Sequence, residues 1–228
     1  MRAESLRILY EDNHLLAVDK PAGLLAQGDR TGDATVADWA AAYLKERYAK
    51  PGNVYIGLVH RLDRPVSGVL LLARTSKAAR RLSEQFRAGQ VHKTYLAVVE
   101  GEVASAGAEE RAWLGRAADG GGRTPAATAF FPGAREAVLT WRVRERARGA
   151  TLLEVEPVTG RRHQIRTQLA LLGHPVAGDL KYGARGGAGR SIALHAWRLV
   201  VNHPIGGAPL RLEAPPPPDW PWPPRAGA

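Results

Sequence analysis

The sequence predicts an α+β protein with a mixed, largely antiparallel sheet and flanking helices. Apolar runs of strand length recur along the chain, with helical patterns interspersed but no strict strand-helix alternation of the kind that builds a parallel sheet. Glycine (25) and proline (16) punctuate those runs over 228 residues. Hydrophobic residues make up 45% and charged residues 24%, so the chain can bury a real core. That length suits one large domain or two small ones.

The elements follow in order. Leu6–Tyr10 and His14–Lys20 are short apolar runs separated by EDN and read as an antiparallel hairpin. In KPAGLLAQGD, Pro21 and Gly23 force a turn. Asp33 to Arg47 is predicted helical, with Val36, Trp39, Tyr43 and Leu44 at helical spacing and Asp33 or Thr35 as cap. Pro51 and Gly52 stop it. Val69 to Ala73 is a strand fit for burial. Ser76 to Ala88 reads as a helix with Ala79, Leu82 and Phe86 inward, a basic outer side of Lys77, Arg80, Arg81 and Arg87, and Gly89 as C-cap. Val91–Gly101 is the next strand.

Residues 104 to 125, rich in Ala, Gly and charge, are predicted to be a surface excursion. Strands resume at Ala137–Val143 and Ala150–Val158. A helix is predicted from Arg162 to Leu172, with Ile165, Leu169 and Leu172 on one face, ended by Gly173. Ile192–Val201 is the last predicted strand. The expected division is a domain over 1–213 and a Pro-rich tail over 214–228, disordered or hugging the surface.

Net charge is +10, from 32 Lys and Arg against 22 Asp and Glu, and favours a polyanionic partner such as nucleic acid. There are no cysteines, which excludes disulfides, thiolate metal sites and cysteine nucleophiles. No apolar signal core stands in MRAESLRILYEDNH and no apolar run approaches membrane-spanning length. A soluble, cytoplasmic protein is expected.

The chemistry concentrates in VHRLDRPVSGVLLLART, Val59 to Thr75. His60, Arg61 and Asp63 fall within four residues, immediately before a strand about to be buried. Loops held by rigid strands are where catalytic groups gather. An aspartate desolvated there needs a partner charge. Asp63 alone also fits a turn or capping acid paired with Arg61 or Arg64. A second cationic cluster, TGRRHQIRTQ, places Arg161, Arg162, His163 and Arg166 around a strand-to-helix junction, where an anion is favoured. It reads either as a partner for Asp63 through Arg166 or as a solvated basic helix. Lys93 and Tyr95 are two apart in a strand and share one face, with Tyr95 either stacking on a base or lining the core. GGGR at Gly120 to Arg123 lacks the strand, spacing and helix of a phosphate loop. The histidines have no metal-ligand spacing, so His60 and His163 read as hydrogen-bonding structure rather than ligands.

KPAGLLAQGD, HRLDRPVSGVLLLART, HKTYLAVVEG, TGRRHQIRTQLALLGHPVAGDLKYG and LHAWRLVVNHP occur in that order. Together they resemble the RluA family of RNA pseudouridine synthases, over about residues 6 to 212. The resemblance implies a mixed, mainly antiparallel sheet with helices and a central basic cleft. It implies that Asp63 is the catalytic nucleophile, that Arg61 occupies the gap left by a flipped nucleotide, and that Tyr95 packs on the target base and is a candidate for removing the C5 proton. It makes Arg166 the partner of the aspartate and Leu194 the aliphatic residue behind the base. His60, Lys93, Arg161, Arg162, His163 and Gln164 join Arg61 and Leu194 as expected substrate and RNA contacts. No metal and no cofactor are implied. The partner is rRNA or tRNA, and the enzyme is expected to be a monomer without the small RNA-binding domain that precedes many relatives. Arg64 stands where lysine is frequent, Pro65 and Val66 replace a more polar pair, and Gln168 stands where many members have histidine. A non-catalytic RNA binder on the same scaffold is the competing reading, and retention of Asp63 beside intact HQIR and KTY elements opposes it. A glycosidase or DNA-acting enzyme is a third, and only one convincing carboxylate is present where a glycosidase uses a pair.

Overall fold

The computed structural model describes residues 6–29, 31–116, 122–186 and 191–223. Its contacts divide the chain into two compact units: Met1–Lys93 with Ala196–Pro216, and Thr94–His195 with Pro217–Ala228. The sheet is mixed and mainly antiparallel, as the sequence predicts, with antiparallel pairs in each unit.

In the first unit, β1 (Arg7–Glu11) and β2 (Leu15–Lys20) form the expected hairpin. Asp12 makes its turn, with one carboxylate oxygen accepting from the His14 and Leu15 N–H groups at 2.7 Å each. The short strand β3 (Gly57–Leu58) and the longer β2 both pair with β4 (Ser67–Ala73), the latter from Leu15 opposite Ala73 to Lys20 opposite Gly68. Every residue of β4 is buried, which is why its sequence runs apolar without alternation. Strand β10 (Leu194–Asn202) lies beside β4 and pairs with β11 (Pro209–Glu213).

Two helices cover this sheet. Helix α1 (Val36–Arg47) starts at a capping box in which the Thr35 hydroxyl accepts from the Asp38 N–H at 3.1 Å and the Asp38 carboxylate accepts from the Thr35 N–H at 3.2 Å. It buries Val36, Ala40 and Leu44, while Trp39 and Tyr43, expected on the same face, stack on each other half-buried at its edge. Helix α2 (Ser76–Arg87), capped by Thr75, buries Ala78 and Leu82, with Ala79 and Phe86 beside them, and Gly89 leaves it at φ 68°. Leu15, Ala17, Val69 and Leu71 of the sheet meet Ala78 and Leu82 in one core. Each leucine withdrawn from water there contributes about 2 kcal/mol.

In the second unit the strand order is β5 (His92–Glu100), β9 (Ala150–Pro157), β8 (Arg135–Ala147), β6 (Gly107–Leu114), β7 (Ala126–Ala127). Strand β6 corrects the predicted excursion over 104–125. Its sequence, GAEERAWL, looks like loop because its charges lie exposed, Arg111 bridging Glu109 and Glu136 across to β8. Residues 117–121, and with them part of the GGGR run, lie outside the described residues. Helix α3 (Gln164–Leu171) packs on β6, β7 and β9. Ile165 and Leu169 are buried as predicted, whereas Leu172 is 38% exposed at the helix end. The tail carries no helix or strand as far as residue 223; Trp222 donates to Glu145 at 2.9 Å and Trp220 meets the His195 ring edge-on. No helix among the described residues is long and apolar enough to cross a membrane.

Candidate active site

The loop His60–Val66 is fastened from three directions inside the first unit. His60 Nε2 accepts the Leu71 N–H of β4 at 2.9 Å, and its ring stacks on Phe86 of α2 at 5.1 Å. Burial pushes this imidazole down to about 4, with the Lys93 charge adding to the effect, so it is neutral at neutral pH and acts as an acceptor. Leu62 is buried below the loop. The Asp63 carbonyl accepts the Val66 N–H at 3.0 Å, closing a tight turn through Arg64 and Pro65.

The third fastening comes from KPAGLL. Arg64 donates through Nε to the Gly23 carbonyl at 3.0 Å and pairs with Asp33 at 2.8 Å, and its own carbonyl accepts the Gly23 N–H at 2.8 Å. Lys20, the last residue of β2, has no exposed surface. Its ammonium donates to the carbonyls of Pro21 (3.0 Å), Leu24 (2.8 Å) and Arg64 (3.3 Å). Burial pushes it down to about 7; the charge of Asp63 opposes that shift and the charge of Arg64 adds to it. A buried amine that is only partly protonated at neutral pH is thus fixed against the turn that presents the half-buried Asp63. Just beyond the turn, Gly68 sits at φ 111°, and a Cβ there would stand 2.2 Å from the Ala196 carbonyl oxygen. Only glycine lets β10 approach β4 this closely. Arg61 is exposed at the loop surface, and burial lowers the half-buried Lys93 ammonium.

The second unit assembles the other cluster around α3. His163 precedes the helix in the left-handed region, φ 54°. The Gln164 amide accepts from the Thr159 hydroxyl (2.7 Å) and the Arg161 N–H (2.9 Å) and donates to the Val138 carbonyl (3.0 Å), tying the TGRR turn to β8. Gln168 donates to the carbonyls of Glu110 (3.1 Å) and Ala137 (3.3 Å). Arg166 is 5% exposed; its Nε and Nη2 donate to the two Asp179 oxygens at 2.6 and 2.8 Å, and its carbon lies 5.0 Å from the Tyr182 ring centre. Arg161 donates to the Glu136 carbonyl at 3.0 Å and Arg162 is exposed. Tyr95 is half-buried on β5 opposite Val155, and Leu194 is buried at the start of β10.

Of the residues predicted from sequence, His60 and Asp63 come together in the first unit, and His163, Gln164 and Arg166 in the second. Lys20, Asp179 and Tyr182 were not singled out by the sequence, although each stands inside a quoted motif: KPAG for the first, GDLKYG for the others.

Residues 14–171 match the family model described as RNA pseudouridylate synthase. The chain belongs to this family. RNA pseudouridylate synthases are isomerases, and this chain shares their fold: it is similar to a solved structure titled Human RNA Pseudouridylate Synthase Domain Containing 4, with a TM-score of 0.76 and 24% identity over 93% of this chain and 89% of that one. In sequence it is 38% identical to the ribosomal large subunit pseudouridine synthase D of Xanthomonas campestris pv. campestris, over 94% of this chain and 67% of the relative. It is also 38% identical to the tRNA pseudouridine synthase C of Pectobacterium carotovorum, over 92% of this chain and 58% of that protein.

Proposed function

We propose that this pseudouridine synthase isomerises specific uridines in ribosomal or transfer RNA, with Asp63 as the catalytic nucleophile acting on a flipped-out nucleotide. The seat of Asp63 carries the reading. A carboxylate on a turn fastened by His60, Arg64 and a buried ammonium is rigidly presented, and rigid presentation is what covalent or base chemistry requires. The names of the relatives at 38% identity support the two RNA classes.

In the reaction the N1–C1′ bond of uridine breaks, the base turns, and a C5–C1′ bond forms. The C5 proton leaves and N1 regains one, so atoms balance without oxidant, metal or energy carrier. Asp63 starts the sequence by attacking C1′, by removing the 2′ proton, or by adding to C6. Arg166 serves as the cation for that carboxylate. Eversion of the nucleotide costs a few kcal/mol. Arg61 in the vacancy, Tyr95 against the base and Leu194 behind it offset part of that cost, and Tyr95 takes the C5 proton. His60, Lys93, Arg161, Arg162, His163 and Gln164 line or hold the RNA-facing elements. Residues 1–213 form the catalytic domain and 214–228 a tail, and the enzyme works as a monomer in the cytoplasm, without cofactor.

Tritium release from RNA labelled at uridine C5 tests the assignment. Wild-type protein should release tritium, and Asp63→Asn should release none while binding the same RNA within about threefold. Equal release by both proteins removes Asp63 from its role; no release by wild type on rRNA and tRNA leaves the non-catalytic RNA binder.

A further inference from the structure

We propose that Asp179 and Tyr182 are positioning residues for Arg166, a frame that fixes the direction of its guanidinium for catalysis. The proposal rests on the reading above that Arg166 serves the reacting centre.

Both residues come from one short turn. The 3₁₀ segment Leu180–Tyr182 is flanked by Asp179, and its bonds, Tyr182 N–H to the Asp179 carbonyl at 2.9 Å and Asp179 N–H to the Val176 carbonyl at 2.9 Å, fix the two side chains relative to each other. Asp179 takes the edge of the guanidinium made by Nε and Nη2. Gripping that edge stops rotation about the last torsions of Arg166, so the heading of Nη1 is set. The Tyr182 ring stands against the guanidinium.

Stability alone is a poor account of this pair. Its side chains are only 6% and 1% exposed, and desolvating two such charges consumes most of what their attraction returns; apolar replacements of buried pairs are often as stable or more so. A fork held on one edge makes better sense as geometry.

The tyrosine hydroxyl extends the frame to the backbone that carries Arg166. It accepts the Thr124 N–H at 2.9 Å and lies 2.6 Å from His163 Nδ1. His163 is held in the left-handed region, which a non-glycine residue keeps only where the surroundings impose it. Its carbonyl accepts both the N–H and the hydroxyl of Thr167 at 2.9 Å, so the strained residue sets the first turn of α3, where Arg166 sits. One turn thereby controls the face of Arg166, its edge, and the start of its helix.

The experiment uses the full chain as wild type, Asp179→Asn and Tyr182→Phe. Each is measured for single-turnover pseudouridine formation, for affinity to the same RNA, for thermal melting, and for the Arg166 Nε–H resonance by NMR. Asp179→Asn should slow turnover at least 100-fold and Tyr182→Phe about 10-fold, both binding RNA within threefold of wild type. The Arg166 Nε–H signal, slowly exchanging in wild type, should exchange fast in Asp179→Asn. A purely structural role moves the melting temperature and leaves the rate of the folded enzyme alone. Folded Asp179→Asn turning over within threefold of wild type overturns the proposal. If Asp179→Asn does not fold, Tyr182→Phe decides, and an unchanged rate with an unchanged Arg166 signal overturns it. A wild-type chain without turnover removes the functional reading instead; the Arg166 signal in the two variants then decides the frame by itself.

Discussion

Replacing Lys20 by methionine should flatten the dependence of folding stability on pH above neutrality. In the folded chain this ammonium has no exposed surface and burial pushes it from 10.5 down to about 7. Between those values the unfolded chain holds a proton that the folded chain has released, so stability rises with pH. At about 1.36 kcal/mol per pH unit, the interval sets an upper bound of about 5 kcal/mol. The part between pH 7 and 9 is about 2 kcal/mol, because the folded group is half protonated at the start. The carbonyls of Pro21, Leu24 and Arg64 favour the charged form and keep the effect below its bound. Methionine fills a similar volume and has nothing to titrate. Urea denaturation of both proteins at pH 7, 8 and 9 isolates the lysine, because Lys93, Tyr10 and Tyr43 contribute equally to each curve. Parallel curves for the two proteins would refute the assignment of a desolvated Lys20.

Gly68→Ala should cost at least about 3 kcal/mol or prevent folding, since the added Cβ meets the backbone of Ala196 and the residue sits at φ 111°; a loss under 1 kcal/mol in denaturant would contradict that close approach. Thr35→Ala removes the cap of α1 and should destabilise by about 1 kcal/mol, read as a lowered melting temperature. Tyr95→Phe should bind RNA normally and lose turnover; normal tritium release would take the proton-removing role from its hydroxyl. RNA affinity should fall steeply with salt, and a flat titration between 50 and 200 mM would argue against phosphate contacts by the basic surface.

Strands β1, β2, β4 and β10 of the first unit were legible as apolar runs punctuated by Asp, Pro and Gly, whereas β3 and β11 were not predicted: two residues carry no period, and PLRLE is short and partly charged. Helix α1 was legible from its cap, although Trp39 and Tyr43 were read too far inward. Strand β6 was not, because an exposed strand neutralises its charges across the ladder, a pairing no local window contains. Helix α3 shows the other failure. Its apolar spacing marked Ile165 and Leu169, yet Gln164, Arg166, Thr167 and Gln168 are also buried. Polar residues read as solvated unless their partners are known, and these partners lie in Val138, Glu110, Ala137 and Asp179. Asp63 stood out because its cationic neighbours are local in sequence. Lys20 did not, because its burial depends on a carbonyl 44 residues away.

That last bond has a wider meaning. An amine gathering main-chain oxygens from two distant stretches does what a bound ion does in other folds: it rivets them together. Helix α1 lies in the interval ahead of β3 and His60, so the stretch that carries it can lengthen, shorten or change its chemistry while β3, His60 and the lysine keep the aspartate-bearing turn on its footing. A scaffold arranged in this way can remodel the stretch around α1 without resetting the turn that presents Asp63.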